Sequence, residues 1–262
     1  SNVYVTGFGV GILNGGYHCK IYDNRLSYNE VGIYFEERPY IIKCLNNNIS
    51  NNVVGLLIGN EAYELVIKNN IIDNNQLGVG IHGSSIGIIL SDNTIEGNRN
   101  LSNNIGCGVL MVCSNASRTK ISGNWFEGNG SNEKSVDILL SPYHPSNVDP
   151  VAMDLYNTII TNCLPTKYQS LFQNKGLGVG MIELSSNSHV YTKYGIVVGG
   201  NSDRLTVNIK DNHFKGFLDR FNIPIYIGRK YFGSSTIINI ADCNISNSDN
   251  NDITTQMLMG VR

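Results

Sequence analysis

Three carboxylates are the residues best placed to do chemistry. Asp73 and Glu96 lie 23 residues apart, and Glu127 takes the same place in the pattern when the segment after Asn98 is aligned through Asn124. Ser27 and Ser50 precede them at the same step. If that step is one coil of a stacked structure, the three acids form one outward column on successive strands. Neighbouring strands are about 4.8 Å apart. Adjacent carboxylates would then be about 5 Å apart and the outer pair about 10 Å. Retaining glycosidases need about 5–5.5 Å and inverting ones about 6.5–9.5 Å. Stacked acids repel one another, which raises the proton affinity of at least one and suits it to act as a general acid. Trp125, the single Trp of the chain, is two residues before Glu127 and shares its face of the strand. An indole beside carboxylates suits a sugar ring, which has an apolar face and a hydroxyl rim. The competing reading is a solvated acidic stripe, with the Trp packed on a loop or a neighbouring subunit.

A second constellation surrounds the segment GIYF at 32–35. Tyr34 is a candidate binding residue, and Glu36, Glu37 and Arg38 follow it. Glu36 and His82 fall in one column two coils apart, with Gly59 between them, so an acid and a possible base flank a notch. The alternative is a set of solvated turn charges. Asp23 and Asp92 are three coils apart, too far for a shared calcium site, and no acidic calcium loop occurs. No metal or cofactor is expected.

These positions make sense only on a repeating scaffold. Asn24, Asn47, Asn70 and Asn93 recur at steps of 23, as do Asn29, Asn52, Asn75 and Asn98. Gly32, Gly55 and Gly78 form a third column; Leu26, Ile49, Ile72 and Ile95 an apolar one. Within each unit apolar and polar residues alternate, the signature of half-buried strands. One coil cannot bury its inner face alone, but stacked coils merge their apolar columns into a core. Stacked Asn side chains can bond along a ladder. The fold expected is an all-β, right-handed, single-stranded parallel β-helix of about 23 residues per coil. Seven extra residues after Asn98 delay the pattern until Gly108, Val109 and Met111. Carried backwards at the same step, the register places Val3 before Leu26, and Gly9, Val10 and Ile12 before Gly32, Ile33 and Phe35. The chain would then start inside a coil, with further residues expected upstream or from a partner.

Residues 1–140 are thus expected to be regular coils, and 141–262 a continuation with longer loops and insertions. Pro142, Pro145 and Pro150 mark 141–154 as a long loop. IITN at 159–162, IKDNHF at 209–214 and IADCNI at 240–245 read as looser echoes of the repeat.

Composition excludes several classes. Formal net charge is −2 with no basic run, so binding to nucleic acid through phosphate neutralisation is not expected. No apolar stretch is long enough for membrane insertion. The six cysteines lack zinc spacing and read as free core thiols made in a reducing cytosol.

The columns I-x-x-N-x-[IL]-x-x-N-x-x-G-[ILV]-x-[IF] resemble the repeats of pectate-lyase-like parallel β-helices, clearly over residues 3–140. The passage ISGNWFEGNG (121–130) followed by VDILL (136–140) is similar to one found in phage tailspikes. That resemblance implies a homotrimer in the virion tail, made in the host bacterial cytoplasm, that binds and cleaves a capsule or O-antigen polysaccharide. The rivals are a non-catalytic receptor-binding or shaft segment, and a polysaccharide lyase or epimerase at the bacterial surface or secreted. If the protein is an enzyme, Asp73, Glu96 and Glu127 are the catalytic candidates. Trp125, Glu36, His82 and Tyr34 are the substrate-binding candidates.

Overall fold

The computed structural model describes residues 2–140, 149–173, 178–199, 204–217, 222–228, 236–246 and 252–253. They form a right-handed parallel β-helix with three walls. The first wall stacks three-residue strands: Tyr4–Thr6, Arg25–Ser27, Asn48–Ser50, Ile71–Asp73, Thr94–Glu96, Trp125–Glu127, Ser188–Val190, His213–Lys215 and Asn244–Ser246. The second wall runs from Val10–Asn14 to Ile223–Ile227 and the third from Lys20–Tyr22 to Ile237–Ala241. Apart from the pairing of Asp252–Ile253 with Asn244–Ser246, the strands in register are parallel.

The 23-residue register holds where the columns were clearest. Leu26, Ile49, Ile72 and Ile95 pair in sequence and are fully buried. The column continues inward through Phe126, His189, Phe214 and Ile245. The first-wall strands from Tyr4–Thr6 to His213–Lys215 are each bracketed by left-handed residues. Asn46, Asn51, Asn69 and Asn74 have φ between 54° and 57°. Asn tolerates this conformation better than most residues. The next residue in each case, Asn47, Asn52, Asn70 and Asn75, turns inward and is buried. Its side-chain oxygen accepts from the backbone and side-chain N–H groups of the Asn one coil earlier, at 2.9–3.1 Å. An Asn-Asn pair therefore both turns the chain and satisfies its buried polar groups.

The glycine column has an equally direct cause. A Cβ at Gly55 would lie 2.6 Å from the Gly78 carbonyl and 2.9 Å from Ile72 Cγ2. At Gly55 the next coil's backbone and the core side chain beneath it leave no room for a Cβ.

Two features differ from the sequence expectation. The first coil is shorter: Val5 pairs with Leu26, Val10 with Val31 and Ile12 with Ile33, a step of 21. The turn between Val10–Asn14 and Lys20–Tyr22 has two residues fewer than its counterpart in the next coil, so a constant step of 23 misplaced Val3, Gly9, Val10 and Ile12. Second, Pro150 starts a helix rather than extending a loop. Helix α1 (Pro150–Cys163) begins with Pro in its first turn and is capped by Asp149, whose Oδ1 accepts from the Val151 and Ala152 N–H groups at 3.0 Å. Ala152, Leu155, Tyr156, Ile159, Ile160 and Cys163 are buried at helical spacing. The segment 159–162 is therefore helix and not a coil echo. The rest of the expected loop, 141–148, lies outside the described residues.

With helix α2 (Thr166–Phe172), α1 covers the outer face of the second wall, where Leu57, Leu77, Leu110, Leu139 and Val197 form a second apolar core. Among the described residues no helix is long and apolar enough to cross a membrane.

Candidate functional site

The register brings the three acids together. Asp73 pairs with Glu96, and Glu96 with Glu127, on consecutive first-wall strands. Two backbone spacings of about 4.8 Å thus separate the outer pair. All three side chains are partly exposed. Burial raises Glu96 above the ordinary carboxylate range, and repulsion from Glu127 and then Asp73 adds to it. Asp73 is also raised, chiefly by burial, against an opposing hydrogen bond from Asn74 Nδ2 to Oδ2 at 2.8 Å. The middle acid of the column is the one that both neighbours push toward the protonated form.

Trp125 is 43% exposed, and its indole N–H donates to Glu127 Oε2 at 2.9 Å. That bond fixes the ring beside the column. Its backbone neighbours are Thr94 on one side and Ser188 on the other, both too small to cover it.

The second constellation does not assemble. His82 is 3% exposed and packs on Phe172 of α2, with ring centroids 5.3 Å apart. Tyr34 is half-buried edge-on against Tyr168 at 5.9 Å. Glu36 stays exposed, as do Glu37 and Arg38, and Arg38 pairs with Glu61. The helices thus occupy the face on which Tyr34 and His82 were expected to meet substrate. The column of Glu36, Gly59 and His82 is real, but its far end lies under α2.

Sequence reasoning missed a polar cluster inside the core. His189 takes the inner column position between Phe126 and Phe214, stacked on both at 5.1 and 4.7 Å. Its Nδ1 lies 3.0 Å from Asp137 Oδ2. Asp137 Oδ1 accepts from Thr192 Oγ1 at 2.7 Å and from Asn129 Nδ2 at 3.0 Å. His189, Asp137, Thr192 and Asn129 are fully buried. Asp137 stands in the glycine column between Gly108 and Gly195, and Thr192 stands where the second Asn ladder would continue beyond Asn129. Three columns change residue at once, and the new side chains pair with one another, while His189 Nε2 is buried without a hydrogen-bond partner among the described residues. A step of 63 residues between Phe126 and His189 hid this from the repeat analysis.

No disulfide joins the cysteines among the described residues. Burial pushes the Cys44 and Cys163 thiols up to about 12, which leaves them poor nucleophiles and poor metal ligands.

The family model of the periplasmic copper-binding protein NosD matches residues 2–144, more than half of the chain. The chain belongs to the NosD family. No curated protein and no solved structure matches it. NosD membership agrees with the parallel β-helix, and the description of the family is periplasmic. The copper in the NosD description finds no fitting site among the described residues. No group of three His, Cys, Asp or Glu side chains there converges on a metal position. The acidic column offers carboxylate oxygens alone, whereas copper favours imidazole, thiolate and thioether. The buried His82 and His189 are each packed against phenylalanine rings.

Proposed function

We propose that this protein binds an extended polysaccharide along its first wall and hydrolyses it. The observation that carries the reading is the column Asp73–Glu96–Glu127 on three consecutive strands, where burial and the two flanking carboxylates favour the protonated form of the middle one. In this scheme Glu96 donates its proton to the glycosidic oxygen as the bond to the anomeric carbon breaks. Asp73 attacks that carbon and forms a glycosyl ester. Water then releases the sugar, passing a proton back to Glu96. Trp125 supplies the platform on which a sugar ring lies. The indole bond to Glu127 favours a second role for that acid, as the group that holds the platform rather than one that reacts.

The tailspike setting and its homotrimer are compatible with this wall chemistry. The family description favours a periplasmic setting over a virion tail.

The test is turnover of capsular, O-antigen and periplasmic glycans, followed by reducing ends and by the absorbance of unsaturated sugars. Hydrolysis gives reducing ends alone; elimination gives both signals. Glu96→Gln is expected to lower turnover about 10²–10⁴-fold, the usual contribution of general acid–base catalysis. Unchanged turnover would remove Glu96 from the mechanism. Retention of glycan without any cleavage would leave only the binding half of the proposal.

A further inference from the structure

Beyond Glu127 the first wall changes character. The column of Trp125 continues through Ser188 to His213, and the column of Glu127 through Val190 to Lys215. Lys215 therefore stands two strand spacings, about 10 Å, from Glu127 on the same face. It makes no ion pair among the described residues, like Lys20 and Lys43 and unlike Lys68, Lys120, Lys134, Lys167 and Lys210.

Between the acids and the lysine stands Tyr191, 37% exposed. It occupies the left-handed column just after the strands, where Gly7, Tyr28, Asn51, Asn74, Gly97, Gly128 and Gly216 also sit. At φ 59° a bulky aromatic is strained, as Tyr28 is at φ 55° in the same column; what sets Tyr191 apart is its place between the acids and the lysine. Gly128 on one side leaves open space, and Gly216 on the other lets the tyrosine ring lie against its backbone; a Cβ there would be 2.9 Å from Tyr191 Cε1.

We propose that the substrate of this wall is an acidic polysaccharide, one carrying a uronate whose carboxylate is read by Lys215 and His213 while the sugar next to it rests against Tyr191. The inference builds on the proposed function and adds to it a substrate class and a direction. An anionic substituent is repelled from Asp73, Glu96 and Glu127 and attracted to Lys215. The two poles of the track thus admit the polymer in one register, with the scissile bond at the acids and the charge two coils beyond. Rejection at one end and attraction at the other is how charge produces specificity.

The experiment measures binding of the whole chain to uronate oligosaccharides prepared from pectate, alginate and hyaluronate. Each is set beside its carboxyl-reduced, neutral counterpart, in a calorimeter at low and high salt. At least one uronate glycan is expected to bind about tenfold more tightly than its reduced form, as fits one charge-assisted contact, and added salt should erode the preference. Lys215→Gln should abolish the preference, the charged form losing far more affinity than its neutral counterpart. Tyr191→Gly should weaken both forms while melting at the same or a higher temperature, because glycine adopts this backbone without strain. A purely structural tyrosine would not separate the two readouts in that way. Equal affinity for charged and reduced forms, or a preference that survives Lys215→Gln, overturns the inference. If in that case Trp125→Ala still weakens every glycan, the wall remains the binding face and only its acid selectivity is lost. If no glycan in the panel binds, the inference and the binding reading beneath it both fall.

Discussion

Replacing Asp137 by glycine restores the residue that its column carries at Gly108 and Gly195, yet it should be among the most damaging changes available. The carboxylate is the shared acceptor for Thr192 Oγ1 and Asn129 Nδ2 and the partner of His189 Nδ1, all fully buried. Each buried donor left without an acceptor costs about 1–3 kcal/mol. Removing one member of a buried pair of this kind costs about 3–5 kcal/mol. The losses are not additive, because the Thr192 hydroxyl can rotate and three donors share one carboxylate, so about 3–5 kcal/mol is expected for Asp137→Gly. At about 2–4 °C per kcal/mol for a chain of this size, the melting temperature should fall by roughly 6–20 °C. Thermal melts followed by circular dichroism measure it. The control is the triple variant Asp137→Gly, Thr192→Asn and His189→Ile. It rebuilds the arrangement of Gly78, Asn98 and Ile95, where the Asn ladder passes between coils without a carboxylate. Most of the lost stability should return. A single variant that melts with the parent, or a triple variant no better than the single, would show that the three column changes do not compensate one another.

Other outcomes follow from the same geometry. Ile72→Asp places a carboxylate in the fully buried column between Ile49 and Ile95, and should cost several kcal/mol or prevent folding, read by solubility and urea denaturation. Because Glu96 and Asp73 are raised in the folded state, their contribution to stability is fully present at pH below the usual carboxylate range and is lost as pH rises through their raised values. The double variant Asp73→Asn with Glu96→Gln lacks this loss. Its melting temperature should gain on the parent as pH climbs from acid to neutral, and curves that stay parallel would refute the burial and repulsion argument.

The legible part of this fold is the part that repeats. Four coils of equal length put Leu26, Ile49, Ile72 and Ile95 in one column, and the same arithmetic placed Asp73, Glu96 and Glu127 side by side. The seven residues after Asn98 were counted correctly, since Leu77 pairs with Cys107 at a step of 30. One more residue is absorbed by a bulge opposite Gly83 and Ser84, which takes Ile89 to Lys120 at 31. Where turn length changes, columns vanish from view. A turn two residues shorter displaced the first coil, and the stretch containing both helices separated Glu127 from Val190 and Lys215. Pro142, Pro145 and Pro150 suit a loop by type, but Asp149 and Pro150 together make a helix start and the apolar spacing behind them is helical. Tyr34 and His82 pack against helix α2, which their own columns do not reveal.

The Asn ladders also have a direction. In each of them the N–H of one coil points to the oxygen of the next coil, from Asn24 through Asn212 in one and from Asn29 through Asn129 in the other. Amide dipoles lined up in this way add along the solenoid axis, as peptide dipoles add along a helix, and each bond polarises the next. The positive pole of the second ladder emerges at Asn129 Nδ2, and the group waiting there is the carboxylate of Asp137. A buried carboxyl group that would be costly elsewhere in the core thus sits at the end of an aligned file of amides. Cutting that file at Asn52 or Asn75, far from Asp137, should therefore be felt at the carboxylate.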